Sequence, residues 1–178
     1  MAIAGSYSSS RTLVACLFTT LVAGLAGLAV LPSRAQAAGS ASMDRVERSI
    51  VRKLNRIRAA QGLPRLRANH ALSRSADDHC ADMLNANFFA HSSSNGQDMA
   101  SRVESYRHSQ AVGETLAYVP SRGAGHQAAR IVSMWMNSPP HRASLLDGEF
   151  TRIGVARRRG TLGGQRSIVF TADLASRR

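Results

Sequence analysis

The segment MWMNSPPHRASLL, residues 134–146, holds the chain's one tryptophan, a double proline and a histidine. Upstream, apolar side chains recur at helical spacing and end at Trp135, which predicts a helix whose buried face finishes there. Pro139 suits the first turn of a second, short helix, where its missing N–H needs no partner, and Ser138 is a typical cap. His141 then lies in the first turn, where the helix dipole favours a neutral imidazole. The segment therefore predicts a sharp break that presents a histidine.

Two further polar residues stand in unusual surroundings. His91 follows the apolar sequence NFFA and precedes a serine-rich loop, and Glu114 lies inside the apolar segment VGETLA. A carboxylate among apolar neighbours requires a partner when it is buried. We therefore expect His91, Glu114 and His141 to meet around one cleft.

The first residues have the pattern of an export signal. A polar stretch ending in Arg11 precedes an uncharged apolar run, 12–31, and an Ala-x-Ala site ends at Ala37. This order is typical of a cleaved signal peptide, here 1–37, although the run is also long enough to stay as a membrane anchor. We expect cleavage because the helix-breaking Pro32 comes shortly before the small residues, and we expect no membrane-spanning segment after it.

The composition that remains after cleavage limits the number of domains and the kinds of partner. About 141 residues would remain as one domain, with a formal charge of about +10 from 21 basic and 11 acidic residues. This charge favours anionic surfaces. An anionic envelope polymer is a better candidate than nucleic acid, since the aromatic residues needed for base stacking are sparse. Cys80 would be the one cysteine left, so an internal disulfide is excluded and we expect a monomer.

The hydrophobic periodicity predicts helices first and strands last. After a flexible lead-in, 38–43, apolar spacings of three and four predict helices. A strand is predicted at 111–119, and alternation at 151–159 and 167–174 predicts an antiparallel pair joined by a flexible GTLGGQ connection. Two of the predicted helix starts carry cap residues, Asn69 and Asp98. The fold class is therefore α+β, with helices packed on a small antiparallel sheet.

Six segments run in the order of a known family and cover nearly all of the chain after residue 43. They are LNRIRAAQGLPRL (54–66), ALSRSADDHCADML (71–84), FFAHSSSNGQ (88–97), VGETLAY (112–118), MWMNSPPHRASLL (134–146) and FTRIGVA (150–156). On these segments the chain resembles the CAP superfamily of cysteine-rich secretory proteins, antigen 5 and pathogenesis-related 1 proteins, also named the SCP domain. It is similar in particular to the small bacterial secreted members that lack disulfides.

The resemblance implies a three-layer α-β-α sandwich over 44–175 with a large open cleft. Family cleft residues carry over onto His91, Glu114 and His141, and in some members the two matching histidines bind a divalent metal, often zinc. A second family acid corresponds to Ser138 here, which we place in the cleft lining. The missing carboxylate weakens any acid–base mechanism.

Other residues receive structural roles or none. Asn55 and Arg58 match a family pattern on the first helix and are expected to bond the backbone across the following junction. Cys80 is expected to be a buried small hydrophobe, and Trp135 a core residue. The remaining histidines are placed on polar faces or in loops: His70, His79, His108 and His126.

Three functions remain open at this point. The first is a secreted, non-enzymatic domain that binds a divalent metal such as Zn²⁺ through His91 and His141, with Glu114 as third ligand or hydrogen-bond orienter. Its cleft would also take a small, lipid-like or envelope ligand. The second is a zinc-dependent hydrolase in the same cleft, because zinc with an open position activates water; no residue is assigned a catalytic role. The third is a basic envelope-binding module that does not depend on the histidines.

Overall fold

The computed structural model describes residues 42–122 and 125–177. The expected signal peptide, 1–37, and most of the expected lead-in lie outside them. The described helices are α1 Arg45–Ala60, α2 His70–Asn85, α3 Met99–Tyr106, α4 Gln127–Asn137 and α5 Pro139–Leu146. The described strands are β1 Arg67–Ala68, β2 Val112–Pro120, β3 Arg152–Leu162 and β4 Gln165–Ala175.

Three helices begin at side-chain caps, and two of these caps, Asn69 and Asp98, are predicted from the sequence. The Asp44 side chain accepts bonds from the first-turn amides of α1, and Glu47 bonds back to the Asp44 amide, which completes a capping box. Asn69 caps α2 and Asp98 caps α3 in the same way through one side-chain bond each. These bonds satisfy amides that no helical carbonyl can reach.

A four-stranded sheet in the order β1-β3-β4-β2 forms the middle layer. Helices α1, α4 and α5 lie on one face of the sheet, and α2 and α3 lie on the other. The expected α-β-α sandwich is therefore confirmed. The expected sheet needs one correction, because the short β1 pairs in parallel with β3 while the other neighbours are antiparallel.

Both faces of β4 and of the first half of β3 are buried, so residues 153–156 and 167–175 are buried consecutively. One cluster joins α1 and α4 to the sheet and includes Ile50, Leu54, Ile131, Trp135, Ile153 and Phe170. A second joins α2 to the opposite face and includes Ala76, Cys80, Met83, Ala156 and Val169. Trp135 and Cys80 are thus core residues, as predicted.

Helix α2 lies directly against β3 at Gly154. A Cβ atom built there would come within 2.1 Å of both the Leu72 carbonyl carbon and the Ser73 amide nitrogen. Backbone atoms cannot give way at that distance, so this close approach of helix to strand requires glycine.

The connection between β3 and β4 is shorter than the sequence predicts. Only Gly163 and Gly164 join the strands, with φ of +56° and +78°. Two consecutive positive φ values belong to a tight turn that matches the right-handed twist of a hairpin. The predicted six-residue flexible connection is therefore wrong, because the ladder continues to the glycine pair.

The junction after α1 is held by two polar side chains. Asn55 donates to the Leu66 carbonyl and accepts from the Leu66 amide. Arg58 is fully buried and donates to four carbonyls, those of Pro64, Leu145, Asp147 and Phe150. The structural role expected for both residues is confirmed.

Candidate functional site

Glu114 is the centre of a cluster of polar side chains that also contains His79, His91 and Arg102. Its side chain on β2 is fully buried. Oε1 lies 2.7 Å from His91 Nδ1, and Oε2 accepts from an Arg102 nitrogen at 2.5 Å. His79 Nε2 lies 3.8 Å from Oε2. The carboxylate therefore has charged and polar partners on both oxygens.

Arg102 was not singled out from the sequence, yet it connects the cluster. It projects from α3, is 5% exposed, and also donates to the His91 carbonyl at 2.8 Å. The same guanidinium therefore neutralises Glu114 and fixes the backbone that carries His91. Its position three residues after Met99 was the available signal, because residues at this spacing share one helix face.

His79 corrects a sequence prediction. It was placed on a polar face, but it is 1% exposed and packs on the inner face of α2. Its spacing of three from Ala76 and four to Met83 indicates that face. His79 Nε2 bonds the Ala90 carbonyl at 2.9 Å, so Nε2 donates. Burial lowers the pKa of His79, which favours a neutral ring.

His91 contacts Glu114 and remains accessible to solvent, with 56% of its side chain exposed. The hydrogen bond to Glu114 raises the pKa of His91, and burial opposes the effect. Because a carboxylate only accepts, Nδ1 is the donor in this bond. In the neutral ring, Nε2 then holds the free lone pair, and no described residue bonds to it.

His141 occupies the first turn of α5, as the sequence predicts. It is half-buried, and neither ring nitrogen bonds a described residue. Burial lowers the pKa of His141, and the charge of His91 lowers it further.

Ser138 stands at the N-cap of α5, but its side chain makes no capping bond. The predicted side-chain cap is therefore wrong. Pro139 and Pro140 remove the amides of the first two helical positions, and one of the donors that a cap normally binds is missing. Ser138 lies instead beside His141 in the wall of a groove.

An apolar groove of about 460 Å³ opens beside His141, and its wall includes Phe89, Leu116, Tyr118, Met134 and Ser138. Within the described part of the chain, the exposed large apolar side chains are Phe89, Tyr118 and Met134, at 40–48% exposure. All three line this groove. Phe89 and Tyr118 contact edge to face, with ring centroids 4.9 Å apart.

Asp173 is a second buried carboxyl that the sequence reading overlooked. It lies on β4 opposite Glu114 and is 0% exposed. Burial raises its pKa well above the ordinary value, and the charge of Glu114 raises it further. Ser75 lies close enough to favour the ionised form, but its hydroxyl does not meet Asp173 in bonding geometry. Alternation along SIVFTADL was the signal for a position facing α2.

The donor set for a metal is small. Among residues 42–122 and 125–177, no group of three or more His, Cys, Asp or Glu side chains is arranged to hold a metal ion. Both oxygens of Glu114 are engaged, and burial raises the pKa of the Cys80 thiol to about 12. The ring nitrogens in this region that bond no described residue are Nε2 of His91 and both nitrogens of His141.

Comparison with known proteins agrees with this architecture. The model of the cysteine-rich secretory protein family, CAP, matches residues 51–174. The chain belongs to this family. Cys80 is unpaired, so the described part of this CAP domain has no disulfide. No helix within those described residues combines the length and apolar content that a bilayer span requires.

Individual relatives are distant. The chain is 33% identical over 116 residues to the uncharacterized protein YkwD of Bacillus subtilis, and this match covers 64% of the chain and 43% of YkwD. An outer surface protein from Borrelia burgdorferi superposes with a TM-score of 0.63 at 20% identity, covering 77% of this chain and 96% of that one. An extracellular SCP-domain protein from Bacillus anthracis superposes with 0.61 at 25% identity, covering 74% and 40%. The chain thus spans less than half the length of YkwD.

Proposed function

We propose that this protein is an exported, non-enzymatic CAP domain whose cleft binds a divalent metal, such as Zn²⁺, through His91 and His141. The observation that carries the proposal is the 2.7 Å contact between His91 Nδ1 and Glu114 Oε1. A carboxylate that accepts from one ring nitrogen fixes the tautomer and leaves the other nitrogen as the metal donor. His141, with its lowered pKa and unbonded ring, supplies the second nitrogen.

Glu114 acts in this proposal as the orienter of His91 and not as a third ligand. One of its oxygens accepts a hydrogen bond from His91 and the other accepts one from Arg102, so neither oxygen is free to bind a metal. Arg102 keeps the buried carboxylate neutralised while it holds the His91 backbone. A bound Zn²⁺ would supply a Lewis-acidic centre with open positions for a ligand.

Binding is favoured over hydrolysis because, among the described residues, neither buried carboxyl group of this region is free to act as a base. A zinc hydrolase needs a carboxylate or a histidine that can accept a proton from a water molecule. Glu114 has both oxygens engaged, and Asp173 is fully enclosed. Ser138 occupies the position of the second family acid, and a serine hydroxyl cannot act as the general base that accepts a proton from water.

The apolar groove supports an amphipathic ligand. His141 belongs to the same wall as Phe89, Tyr118 and Met134. An acyl chain or other apolar body would cover these exposed side chains, and its polar end would reach the metal. We therefore propose a lipid-like carboxylate as the ligand class.

Export rests on the signal-like segment 1–37 and on the extracellular Bacillus anthracis relative. Expression with the native leader should deliver protein to the culture medium or periplasm. Its intact mass should lack residues 1–37. Recovery of the uncleaved chain in the membrane fraction would favour the anchor instead.

A calorimetric zinc titration tests the metal site. The wild type should bind one Zn²⁺, and His91→Ala and His141→Ala should each remove measurable binding. Glu114→Gln should weaken affinity by roughly 10–100-fold, as loss of an orienting partner does. His108→Ala is the matched control at an exposed histidine and should leave affinity unchanged. Absence of wild-type binding, or equal binding by the His91 and His141 variants, would reject the site.

A separate titration tests the groove with decanoate as probe, with and without zinc. Met134→Gln and Phe89→Ser should each weaken decanoate binding, because they place polar groups against the acyl chain. Arg130→Gln lies on exposed α4 surface and serves as the control. If Met134→Gln and Phe89→Ser both bind decanoate with wild-type affinity, this ligand class is ruled out.

A further inference from the structure

A second cavity lies at the β1 edge of the sheet, whereas Glu114 lies on β2 at the opposite edge. It has a volume of about 620 Å³ and contains none of the residues of the proposed metal site. Five of its lining residues are arginines contributed by α1, the link to β1, β1 itself, β3 and the segment after β4: Arg52, Arg65, Arg67, Arg152 and Arg177. We call this cavity the arginine pocket.

The positive charge of the arginine pocket is not balanced by its own wall. No aspartate or glutamate is among its described lining residues. Four of the guanidinium groups form no hydrogen bond or ion pair with described residues: those of Arg52, Arg65, Arg67 and Arg177. Arg152 donates only to the neighbouring Thr151 carbonyl. By contrast, Arg157 and Arg158 elsewhere on β3 each pair with an aspartate.

The strand register brings two of these charges together. Arg67 of β1 is the direct partner of Arg152 on β3. Paired residues on adjacent strands project on the same face, and like charges placed directly opposite are destabilising. Val51 and Leu66 also line the cavity, are buried and contribute no charge. An anion between the two guanidinium groups would remove the repulsion.

We propose that the arginine pocket is a binding site for a phosphate-bearing anion with at least two negative charges. Planar guanidinium groups match phosphate oxygens with paired hydrogen bonds, and several converging arginines suit several charges better than one. The volume admits more than a single phosphate group. Asn55 cannot compete for the anion, because its amide is committed to Leu66.

The same chemistry could come from a soluble phosphate ester or from an anionic lipid headgroup. Pyrophosphate in solution probes the first source, and vesicles of phosphatidylglycerol probe the second, with phosphatidylcholine vesicles as the neutral reference. Both arms are measured at 0.15 M salt, which screens diffuse surface attraction. The pocket variant is Arg67→Gln with Arg152→Gln. The charge-matched control is Arg130→Gln with Arg159→Gln, two exposed arginines outside the pocket.

The wild type should bind at least one probe, and the pocket variant should bind it about tenfold or more weakly, as loss of charge-assisted bonds implies. The control should keep wild-type affinity. Pyrophosphate binding alone assigns a soluble ligand, and vesicle binding alone assigns a headgroup. No binding of either probe by the wild type, or equal losses in the pocket and control variants, would overturn the proposal. The zinc titration should be unaffected by these variants, because the arginine pocket contains none of the proposed metal-site residues, so each proposal can fail without the other.

Discussion

Glu114 and Asp173 face each other across β2 and β4, and both carboxyl groups are removed from water. Arg102 and His91 bind Glu114, whereas no described residue meets Asp173 in hydrogen-bonding geometry. Two neighbouring buried carboxyls cannot both ionise cheaply. Glu114 therefore carries the charge that orients His91, and the raised pKa of Asp173 keeps its proton in place.

This pair predicts a specific dependence of stability on pH. The folded-state pKa of Asp173 exceeds the ordinary 3.8, so the folded chain holds this proton more tightly than the unfolded chain. The contribution to stability is complete below pH 3.8 and is lost as pH rises through the folded-state pKa, with a slope of up to about 1.4 kcal/mol per pH unit. Asp173→Asn removes this loss. It should resemble wild type near pH 4 and exceed it in stability at pH 7.

Urea unfolding at a series of pH values from 4 to 8 measures the effect. Glu104→Gln is the control, because Glu104 makes no hydrogen bond or ion pair with described residues. It should keep the wild-type profile. A parallel profile for Asp173→Asn would show that Asp173 is ionised in the folded protein.

The pKa of His141 should depend on the charge of His91. Burial is the larger cause of the lowered pKa of His141, and the charge of His91 is the smaller one. His91→Ala should therefore raise the pKa of His141 but leave it below 6.5. Proton NMR of the ring hydrogens reads this directly. His108→Ala should leave the pKa of His141 unchanged. An unchanged pKa of His141 in the His91→Ala variant would show that the two rings do not interact.

Arg58 should be among the most costly side chains to remove. It donates to four carbonyls, and those of Leu145 and Phe150 are in buried bonds. Arg58→Met leaves these acceptors without partners, and breaking such a buried set costs about 3–5 kcal/mol. Chemical unfolding should show this loss, whereas Arg56→Met on exposed α1 surface should stay within about 0.5 kcal/mol of wild type. Similar stabilities for both variants would contradict the anchoring role.

Gly154 should tolerate no side chain. A methyl group there would collide with the α2 backbone at 2.1 Å, so Gly154→Ala must push α2 off the sheet. Overpacking of this kind costs about 3 kcal/mol or more. Gly148→Ala is the matched control, because its nearest contact is an ordinary 3.7 Å to Leu63. Thermal melting compares the two, and equal melting temperatures would mean that α2 can shift without cost.

Local pattern predicted most of the framework. Apolar spacing identifies the first three helices, and the caps at Asn69 and Asp98 mark the starts of the second and third, because both signals act within one or two turns. Alternation identifies β2 and the terminal pair. The predicted length of the β3–β4 connection was wrong because glycine and polar residues of GTLGGQ suit loops, while tertiary pairing draws all but the glycine pair into the ladder.

The sequence by itself determined the α+β class and the buried Cys80, and through its resemblance to the CAP family it also implied the layer architecture and the structural roles of Asn55 and Arg58. It predicted His91, Glu114 and His141 as cleft residues. Only the tertiary structure decided which polar residues accompany them. His79, Arg102 and Asp173 reach Glu114 from α2, α3 and β4, and Arg67 meets Arg152 through the pairing of β1 with β3. Periodicity states which face of an element is buried. Sheet register and helix packing select the distant side chains that share that interior, because those contacts join residues far apart in the chain.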